Sequence, residues 1–453
     1  MALVRRTTEL QTSFDIQVKS NKSKQHIVFN SVSSDKSISQ RAIILNSIAN
    51  GRGTVRNVLR SRDIESCISI LDKLGVKFAW DDNDLIIQGV GLRGLKPSIE
   101  RLDIGNTATS ARLIMSVLAS YPFKVKLSGN SMLSTRPMDW VVEPLKEMGA
   151  NITHLGTEGC LPLEMIGAFP LKPIHVEATV ASAQEKSAIL FAGLSTKGMT
   201  QYKQMCQSRD HTERLMEYFG VNIVSHDNIT TIVGGNEFNS KEVVVPGDIS
   251  SAAFLLAAYT IRSNELEGNL LIKGVGVNPT RIGFVTALQQ MGLNISFSER
   301  RMLISNEPIA DISCIPANAL IPSYVDGVEF VQSLIDEVPL LAAVSAFADG
   351  VSIIRDCSEL KDKDTNRIIT TAKVLTQFGI DVTYDSDEIR INGGKTLVPA
   401  VVDSYGDHRM AMMAIVLASS MNEPSIIRNC DCISVSYPDF LQDMAQFADI
   451  EVL

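Results

Sequence analysis

The sequence predicts an α/β fold built from six repeated units. One pattern recurs along the whole chain: a helix-like apolar periodicity ends at a glycine, and an alternating strand follows it. In several copies a turn signal and a second alternating strand come next. The chain has 453 residues, of which 45% are hydrophobic, so six such units fill it and can bury a sizeable core.

Glycines that end the helical segments mark the repeat. They are Gly75, Gly149, Gly220, Gly292 and Gly379, with Ala448 in the sixth place, and they stand 69 to 87 residues apart. Glycine suits a helix end because the chain there commonly turns into the left-handed conformation, which costs a residue with a Cβ more. One unit cannot bury both its helix and its strands, so the units should pack together. The periodicity leaves open a solenoid or two globular groups of three.

Composition limits the possible partners. The formal net charge is −9, which disfavours a general nucleic-acid binder. No stretch approaches eighteen uninterrupted apolar residues, so we expect no membrane span. An anionic ligand would therefore depend on a local cluster of Lys and Arg.

The first residues and the cysteines indicate a reducing compartment. The opening stretch lacks the long apolar segment of a secretory signal, which predicts a cytoplasmic protein. Seven cysteines are scattered without CxxC spacing, so we expect reduced, mostly buried thiols. No His, Cys or carboxylate spacing suggests a metal site.

Four segments place polar and cationic residues at predicted helix starts, where backbone NH groups favour anions. In the first, Ser34 or Asp35 can cap a helix whose first turn carries Lys36 and Ser37, with Arg41 about one turn further on. These three side chains should lie close together. Alone, the segment fits a solvated helix start slightly better than an anion site.

The other three segments differ in how directly they indicate binding. Gly105 and Asn106 precede a run of small hydroxyl residues and a helix with Arg112, which suggests an anion-binding loop but not a Walker A motif. Arg136 stands just before a proline at another predicted helix start. Asp248 is a predicted cap of a strongly apolar helix, for which we favour a purely structural role.

Further motifs in the same order identify a family resemblance. The segments SDKSISQRA, GNTATSAR, STRPMD, ASAQEK, SRDHTE, LIDEVP, KDKDTNR, YGDHRMAM and SVSYPDF together resemble EPSP synthases along nearly the whole chain, in the class with SAQ and SRDHTE motifs. The resemblance implies two similar domains of three βαβαββ-type units each, an inside-out α/β barrel arrangement. Domain I would comprise residues 1–33 plus 247–453, and domain II residues 34–246, with the active site in the cleft between them.

The resemblance also implies an activity. Such an enzyme transfers the enolpyruvyl group of phosphoenolpyruvate to the 5-hydroxyl of shikimate 3-phosphate and releases phosphate, in aromatic amino-acid biosynthesis. It needs no cofactor and no metal, and would act in the cytoplasm as a monomer.

Specific residues carry these implied roles. Shikimate 3-phosphate would be bound by Lys36, Ser37, Arg41, Ser182, Ala183, Gln184, Arg209, Asp336 and Lys363. Phosphoenolpyruvate would be bound by Lys36, Asn106, Ala108, Arg136, Gln184, Arg367 and Arg409. Lys36, Asp336 and Asp364 would be catalytic, with Asp336 contacting the reacting hydroxyl. Arginine forks match phosphate and carboxylate geometry and keep their charge, so such a set suits two polyanions.

Several positions depart from the family pattern. Asp364 stands where glutamate is usual, Asn366 follows it in place of aspartate, and Lys361 replaces an arginine. The shorter carboxylate could reduce activity or change where the acceptor sits. Ala108 stands where glycine is usual, and its methyl group should weaken binding of glyphosate more than of phosphoenolpyruvate.

Other functions remain open at this stage. A related transferase acting on UDP-N-acetylglucosamine carries a reactive cysteine, which the stretch GNSMLSTRPMD lacks. A transferase using another cyclic alcohol is favoured only by the altered KDKDTNR segment. A non-catalytic homologue would not need to keep its cations, and an RNA-cyclase-like role conflicts with the acidic charge. His211 is expected in a structural capping box with Asp210 and Glu213, and His408 beside the site.

Overall fold

A computed structural model describes residues 13–21, 26–263, 265–266 and 268–453. The first twelve residues, on which much of the prediction of a cytoplasmic start depends, lie outside this range. In the described part, no helix is both long and apolar enough to cross a bilayer.

The strands are short and evenly distributed. They are β1 (Ile16–Ser20), β2 (Ile27–Phe29), β3 (Asn50–Arg56), β4 (Lys77–Asp81), β5 (Asp84–Val90), β6 (Leu102–Asp103), β7 (Lys124–Ser128), β8 (Asn151–His154), β9 (Leu163–Ile166), β10 (His175–Glu177), β11 (Met199–Lys203), β12 (Asn222–His226), β13 (Ile229–Val233), β14 (Glu242–Val244), β15 (Leu270–Gly276), β16 (Asn294–Met302), β17 (Pro308–Ile315), β18 (Tyr324–Val325), β19 (Val351–Ile354), β20 (Asp381–Tyr384), β21 (Ile389–Asn392), β22 (Val401–Asp403), β23 (Ser425–Arg428) and β24 (Ala448–Val452).

The helices lie between these strands. They are α1 (Lys36–Ile48), α2 (Arg62–Lys73), α3 (Ala108–Leu118), α4 (Asp139–Glu147), α5 (Ala183–Gly193), α6 (His211–Tyr218), α7 (Ile249–Ile261), α8 (Gly283–Gln290), α9 (Val328–Gln332), α10 (Val338–Ser345), α11 (Arg367–Gln377), α12 (His408–Ala418) and α13 (Phe440–Met444). Short 3-10 helices cover Leu133–Thr135, Pro279–Arg281, Ser358–Asp362 and Cys430–Val435.

Six four-stranded sheets share one topology. Their strand orders are β14-β3-β5-β4, β6-β7-β9-β8, β10-β11-β13-β12, β2-β15-β17-β16, β18-β19-β21-β20 and β22-β23-β1-β24. In each sheet the first two strands are parallel and the other neighbours are antiparallel. The predicted βαβαββ unit is thus present. Within the described ranges the sheets stay separate, so no closed barrel forms.

The repeat glycines adopt the conformation that the sequence predicts. Gly75, Gly149, Gly220, Gly292 and Gly379 all have positive φ, between 80° and 114°, just after the helices α2, α4, α6, α8 and α11. Each reverses the chain into the following strand. In the sixth unit Ala448 instead opens β24, whose partner is β1 from near the other end of the chain.

Two separate clusters of buried apolar residues form the cores. One, here called the central lobe, draws its residues from Ile38 to Val245; the other, the terminal lobe, draws on Ile16–Val32 and Ile249–Ala448. Helices α1, α3 and α5 lie inside the central lobe, and α7, α10 and α12 inside the terminal lobe. Every residue of α7 is buried, because other helices and a sheet surround it. The domain boundaries inferred from the resemblance stay a prediction.

The chain crosses between the lobes at two adjacent segments. Ser34 pairs with Gly247 in an antiparallel bridge. The Asp35 NH donates to the Pro246 carbonyl at 2.9 Å, and the Asp248 NH donates to the Ser33 carbonyl at 2.8 Å. Helices α1 and α7 therefore begin side by side at the junction, one in each lobe.

Candidate active site

A cleft of about 730 Å³ lies between the two lobes. The first residues of α1, α3, α5, α7, α11 and α12 all line it. Helix N-termini carry unpaired NH groups and a partial positive charge, so their convergence favours anionic ligands. Both predicted caps are present: Asp35 accepts from the Ile38 NH and Asp248 from the Ser250 NH. Asn366 caps α11 in the same way, by accepting from the Ile369 NH, although it was not predicted as a cap.

All fifteen residues predicted for the site line this one cleft. They are Lys36, Ser37, Arg41, Asn106, Ala108, Arg136, Ser182, Ala183, Gln184, Arg209, Asp336, Lys363, Asp364, Arg367 and Arg409. They come from both lobes and from almost the whole length of the chain. The structure brings them together; which ligand each contacts stays a prediction.

The cleft is rich in both signs of charge. Its cations are Lys36, Arg41, Arg112, Arg136, Arg209, Arg281, Lys361, Lys363, Arg367 and Arg409, and its carboxylates are Asp63, Asp248, Asp336, Asp356, Glu359, Asp362, Asp364 and Asp387. Cations outnumber acids here although the whole chain is acidic. The cleft therefore contains the local cluster of Lys and Arg that an acidic chain needs to bind an anion.

Asp336 lies among three guanidinium groups. Its Oδ2 is 2.6 Å from Arg209 Nη2 and 3.6 Å from Arg409 Nη2, and its Oδ1 is 3.5 Å from Arg367 Nη1. Burial alone would raise the pKa of Asp336, but these cations and Lys363 outweigh it and hold the pKa well below its usual range. The carboxylate is therefore ionised.

Asp364, also in the terminal lobe, bridges two arginines. Arg136 Nη1 is 3.3 Å from Oδ1, and Arg367 Nη2 is 3.3 Å from Oδ2. The Nδ1 atom of His408 lies 3.5 Å from the same Oδ2. Burial, with the nearby Lys36 cation, lowers the pKa of His408 to about 3, so this contact joins a neutral imidazole to a carboxylate.

Arg367 is fixed by a second buried acid. Its Nε is 2.8 Å from Asp407 Oδ2 and its Nη2 is 3.2 Å from Oδ1, a bidentate pair. Burial would lower the pKa of Arg367, but Asp407 and Asp364 raise it above its usual value. Possible metal-ligand atoms of Asp364, Asp407 and His408 lie within 4.8 Å of one another. A cation bound there would have to displace Arg367 from both carboxylates.

Lys36 is held by an acid that sequence reasoning missed. Its Nζ is 2.9 Å from Asp63 Oδ2, in the first turn of α2. Burial raises the pKa of Asp63 even though Lys36 opposes this. An acidic residue in a first helical turn is common, so nothing in the sequence marked Asp63 as a partner of the site.

Arg41 is a buried cation whose hydrogen bonds go to uncharged groups. It donates from Nε to Thr212 Oγ1 at 2.7 Å, from Nη2 to Ser187 Oγ at 2.9 Å and from Nη1 to the Ser37 carbonyl at 3.0 Å. Burial lowers the pKa of Arg41 to about 10, so it stays charged at neutral pH. Its charge is thus available to an anion in the cleft.

Arg112 is a second residue that the sequence did not single out as a site residue. It is 1% exposed, donates to Gln184 Oε1 and to the Pro137 carbonyl, and lies 4.2 Å from the centre of the Trp140 ring. Within the described ranges no carboxylate forms an ion pair with it. Burial holds the pKa of Arg112 well below its usual value. Its contacts fix Gln184, a predicted ligand of both substrates.

The remaining predicted residues border the same space. Asn106 Oδ1 is buried and accepts no hydrogen bond from the described residues, so it is free to contact a ligand. Ala108 is the first residue of α3, with Thr107 as its cap. Lys363 pairs with Glu359 on the terminal-lobe side. Ser182 caps α5.

One structural expectation was wrong and another stays a prediction. The structural role favoured for the helix after Asp248 stays a prediction, and the first turn of that helix lines the cleft. His211 does not belong to a capping box: Asp210 makes no cap hydrogen bond, and Glu213 pairs with Lys186 instead. His211 is nonetheless buried, with Nδ1 2.7 Å from Glu307 Oε1.

The cysteines match the expectation of free thiols. All seven are unpaired, and all but Cys206 are buried. Burial raises the pKa of all seven thiols, including that of the partly buried Cys206. None is suited to act as a nucleophile in this state.

The fold and the site define a two-lobed α/β protein whose interlobe cleft presents helix N-termini and paired cations to small anionic ligands. The sequence model of the family described as EPSP synthase (3-phosphoshikimate 1-carboxyvinyltransferase) matches residues 21–444. The chain therefore belongs to the EPSP synthase family.

Known relatives cover almost the whole chain. A 3-phosphoshikimate 1-carboxyvinyltransferase of Pelotomaculum thermopropionicum is 41% identical over 416 residues, covering 92% of this chain and 95% of the relative. One from Bacillus velezensis is 39% identical over 415 residues, with coverage of 91% and 95%. A solved EPSP synthase of Acinetobacter baumannii superposes with a TM-score of 0.84 at 32% identity, covering 97% of this chain and all of that one. The predicted family and fold class are confirmed.

Proposed function

We propose that this chain transfers the enolpyruvyl (carboxyvinyl) group of phosphoenolpyruvate to the 5-hydroxyl of shikimate 3-phosphate and releases phosphate. One observation carries the proposal: the four cations expected at phosphoenolpyruvate converge on one cleft, Lys36 and Arg136 from the central lobe and Arg367 and Arg409 from the terminal lobe. Two polyanions can approach each other only where their charges are neutralised. The names of the relatives support the same reaction.

Substrate binding would exchange ion pairs. Arg136 and Arg209 are paired with the acids Asp364 and Asp336 of the other lobe. A phosphate or carboxylate of a substrate is a matched bidentate partner for the same guanidinium groups. Binding would therefore release both carboxylates for proton transfer while keeping the cations neutralised.

The proposed chemistry proceeds through addition and elimination. The 5-oxygen of the acceptor bonds to C2 of phosphoenolpyruvate while C3 gains a proton; C3 then loses a proton as the C2–O bond to phosphate breaks. Asp336 would accept the hydroxyl proton and pass it to the departing phosphate, while Lys36 with Asp364 would give a proton to C3 and take one back from it. Asp336 is a weak base while its cation partners surround it, and loss of these partners to substrate would raise its pKa.

Phosphate release tests the proposal. The chain is incubated with phosphoenolpyruvate and shikimate 3-phosphate, and in parallel with phosphoenolpyruvate and either shikimate or UDP-N-acetylglucosamine. Of the three mixtures, we expect phosphate release only in the one that contains shikimate 3-phosphate. Turnover only with a different alcohol would overturn the proposed acceptor, and ligand binding without turnover would indicate a non-catalytic homologue.

The proposal includes a cytoplasmic monomer with residues 34–246 as one domain and residues 1–33 plus 247–453 as the other. A monomer is sufficient because all fifteen predicted site residues lie on one chain. Seven unpaired thiols suit a reducing compartment. Light scattering after size-exclusion chromatography would show a dimer if this part is wrong.

A further inference from the structure

Arg281 lies where the chain crosses between the lobes. It ends the 3-10 helix Pro279–Arg281, and its side chain is 3% exposed. Its Nη1 is 3.2 Å from Asp35 Oδ2 and its Nη2 is 3.1 Å from Asp248 Oδ1. Because these acids cap α1 and α7, one guanidinium fixes the first turn of each helix that follows a crossing.

A chain of contacts leads from Arg281 to Arg409. Arg281 Nη2 donates to Ser250 Oγ at 2.8 Å, and the Ser250 hydroxyl donates to Glu337 Oε1. Arg409 Nη1 lies 3.3 Å from the same Oε1. Glu337 is 2% exposed, and its other carboxylate oxygen accepts no hydrogen bond from the described residues.

We propose that Arg281, Ser250 and Glu337 form a positioning relay that sets the orientation of the Arg409 guanidinium toward phosphoenolpyruvate. The inference rests on the proposed function, which assigns Arg409 to that substrate. The three residues act through Arg409. Arg281, Ser250 and Glu337 connect the lobe junction to the Arg409 guanidinium and fix the orientation of that guanidinium. No proton or chemical group is transferred along these contacts.

Glu337 is the acid that stays with Arg409 during the reaction. Arg409 also contacts Asp336, through the carbonyl oxygen at 2.8 Å from Nη1 and the carboxylate at 3.6 Å from Nη2. The carboxylate of Asp336 is needed at the acceptor hydroxyl, so it cannot also hold Arg409. Glu337 lies outside the cleft lining, and its carboxylate is fixed by Ser250 on one side and Arg409 on the other.

Two mild variants and a matched control test the relay. Glu337→Gln keeps the shape but removes the charge, and Ser250→Ala removes the hydroxyl that holds Glu337. Ser345→Ala is the control, because Ser345 ends the helix that follows Glu337, is fully buried, and its hydroxyl makes no hydrogen bond within the described ranges. For each variant, kcat and the KM of both substrates are measured.

We expect both relay variants to raise the KM for phosphoenolpyruvate roughly tenfold or more, since a hydrogen bond to a charged group is worth about that factor. The KM for shikimate 3-phosphate should change less than about twofold, and the Ser345→Ala variant should match the unaltered chain. Relay variants with the kinetics of the control would overturn the proposal. An equal rise of both KM values would also overturn it.

Arginine variants separate positioning from stability. Arg281→Lys is compared with Arg262→Lys, because Arg262 is similarly buried, at 2% exposed, but joins Asn21 to the Phe447 carbonyl and does not line the cleft. Both should lower the unfolding temperature, because lysine cannot reproduce the fork. Only Arg281→Lys should raise the KM for phosphoenolpyruvate; an unchanged KM would count against the relay.

The two proposals fail in different ways. If the unaltered chain does not turn over, the proposed function is wrong. Titration calorimetry with phosphoenolpyruvate still tests the relay in that case, because Glu337→Gln should weaken binding roughly tenfold relative to Ser345→Ala. Equal binding by these two variants would reject the relay whatever the reaction.

Discussion

Arg209 and Asp336 meet across the cleft, with Nη2 of the arginine 2.6 Å from Oδ2 of the aspartate, although they belong to different lobes. Arg136 and Asp364 repeat this relationship at 3.3 Å. Each pair joins a cation predicted to bind substrate to an acid predicted to act in catalysis. These ion pairs therefore join the two lobes, and the proposed reaction would have to separate them.

Replacing Asp336 should remove most activity. Asp336→Asn keeps the size of the side chain but cannot accept a proton, so we expect kcat to fall by about a hundredfold or more in the phosphate-release assay. Asp381→Asn, at an exposed acid paired with Lys395, is the control and should be unaffected. A kcat within tenfold of the unaltered chain would exclude Asp336 as the proton acceptor.

Lengthening Asp364 should increase activity. The resemblance to the family implies a glutamate at this position, and Asp364→Glu extends the side chain by one methylene group. If the shorter side chain limits proton transfer, kcat should rise, by up to about a hundredfold. The control is Asp381→Glu. A lower kcat for Asp364→Glu would show that this chain is adapted to aspartate.

Ala108 should determine glyphosate tolerance. Its methyl group lies at the start of α3, where it lines the cleft. Ala108→Gly removes that group, so inhibition by glyphosate should strengthen about tenfold, as expected when a tight contact is relieved. Inhibition curves at fixed phosphoenolpyruvate measure this. Strong inhibition of the unaltered chain at low micromolar glyphosate would contradict the prediction.

His408 should make the fold sensitive to acid. Burial lowers its pKa to about 3 from a usual value of 6.5, so the folded state favours the neutral ring. Above about pH 6.5 the ring is neutral in both the folded and the unfolded state, so His408 does not reduce the free energy of unfolding. Between pH 6.5 and 3 only the unfolded state gains the proton, so the free energy of unfolding falls by up to about 1.4 kcal/mol per pH unit.

Urea unfolding between pH 7 and pH 4 measures this slope. The variant His408→Asn should show a shallower fall in the free energy of unfolding, because it carries no titrating ring. His226→Asn is the control, since His226 is exposed on β12. Equal slopes for His408→Asn and the unaltered chain would show that His408 does not control the acid response.

The segment 34–246 should fold by itself. Its three sheets, formed by β3 to β14, take no strand from outside the segment, and it has its own apolar core. We expect cooperative thermal unfolding of the isolated segment, followed by circular dichroism. A segment without a cooperative transition would contradict the proposed domain boundaries.

Much of the fold was readable because its signals are local. A left-handed glycine such as Gly75 or Gly379 ends its helix through the conformation of one residue, whatever surrounds it. The same holds for the cap Asp35, whose partner is the NH three residues on. The grouping of the six units into two sets of three came from the family resemblance. The spacing of the repeats says nothing about which units contact one another.

The contacts of Asp63, Arg112 and Arg281 with distant residues were not predicted. Asp63 and Arg112 lie in ordinary helical patterns, and only the fold places them beside Lys36 and Gln184. Arg281 ends a short 3-10 helix and lies in no recognised motif, yet it joins both crossings. The capping box expected around His211 does not form, because Asp210 accepts a hydrogen bond from Asn278 and Glu213 pairs with Lys186.

The position of β1 determines the order in which the sheets can form during translation. This strand lies between β23 and β24, pairing Ile16 with both Ile427 and Val452. At the usual speed of translation, roughly tens of seconds separate the synthesis of these partners. The central lobe can thus fold before β1 has both of its partner strands, and the sheet that contains β1 can be completed only after β24 has emerged.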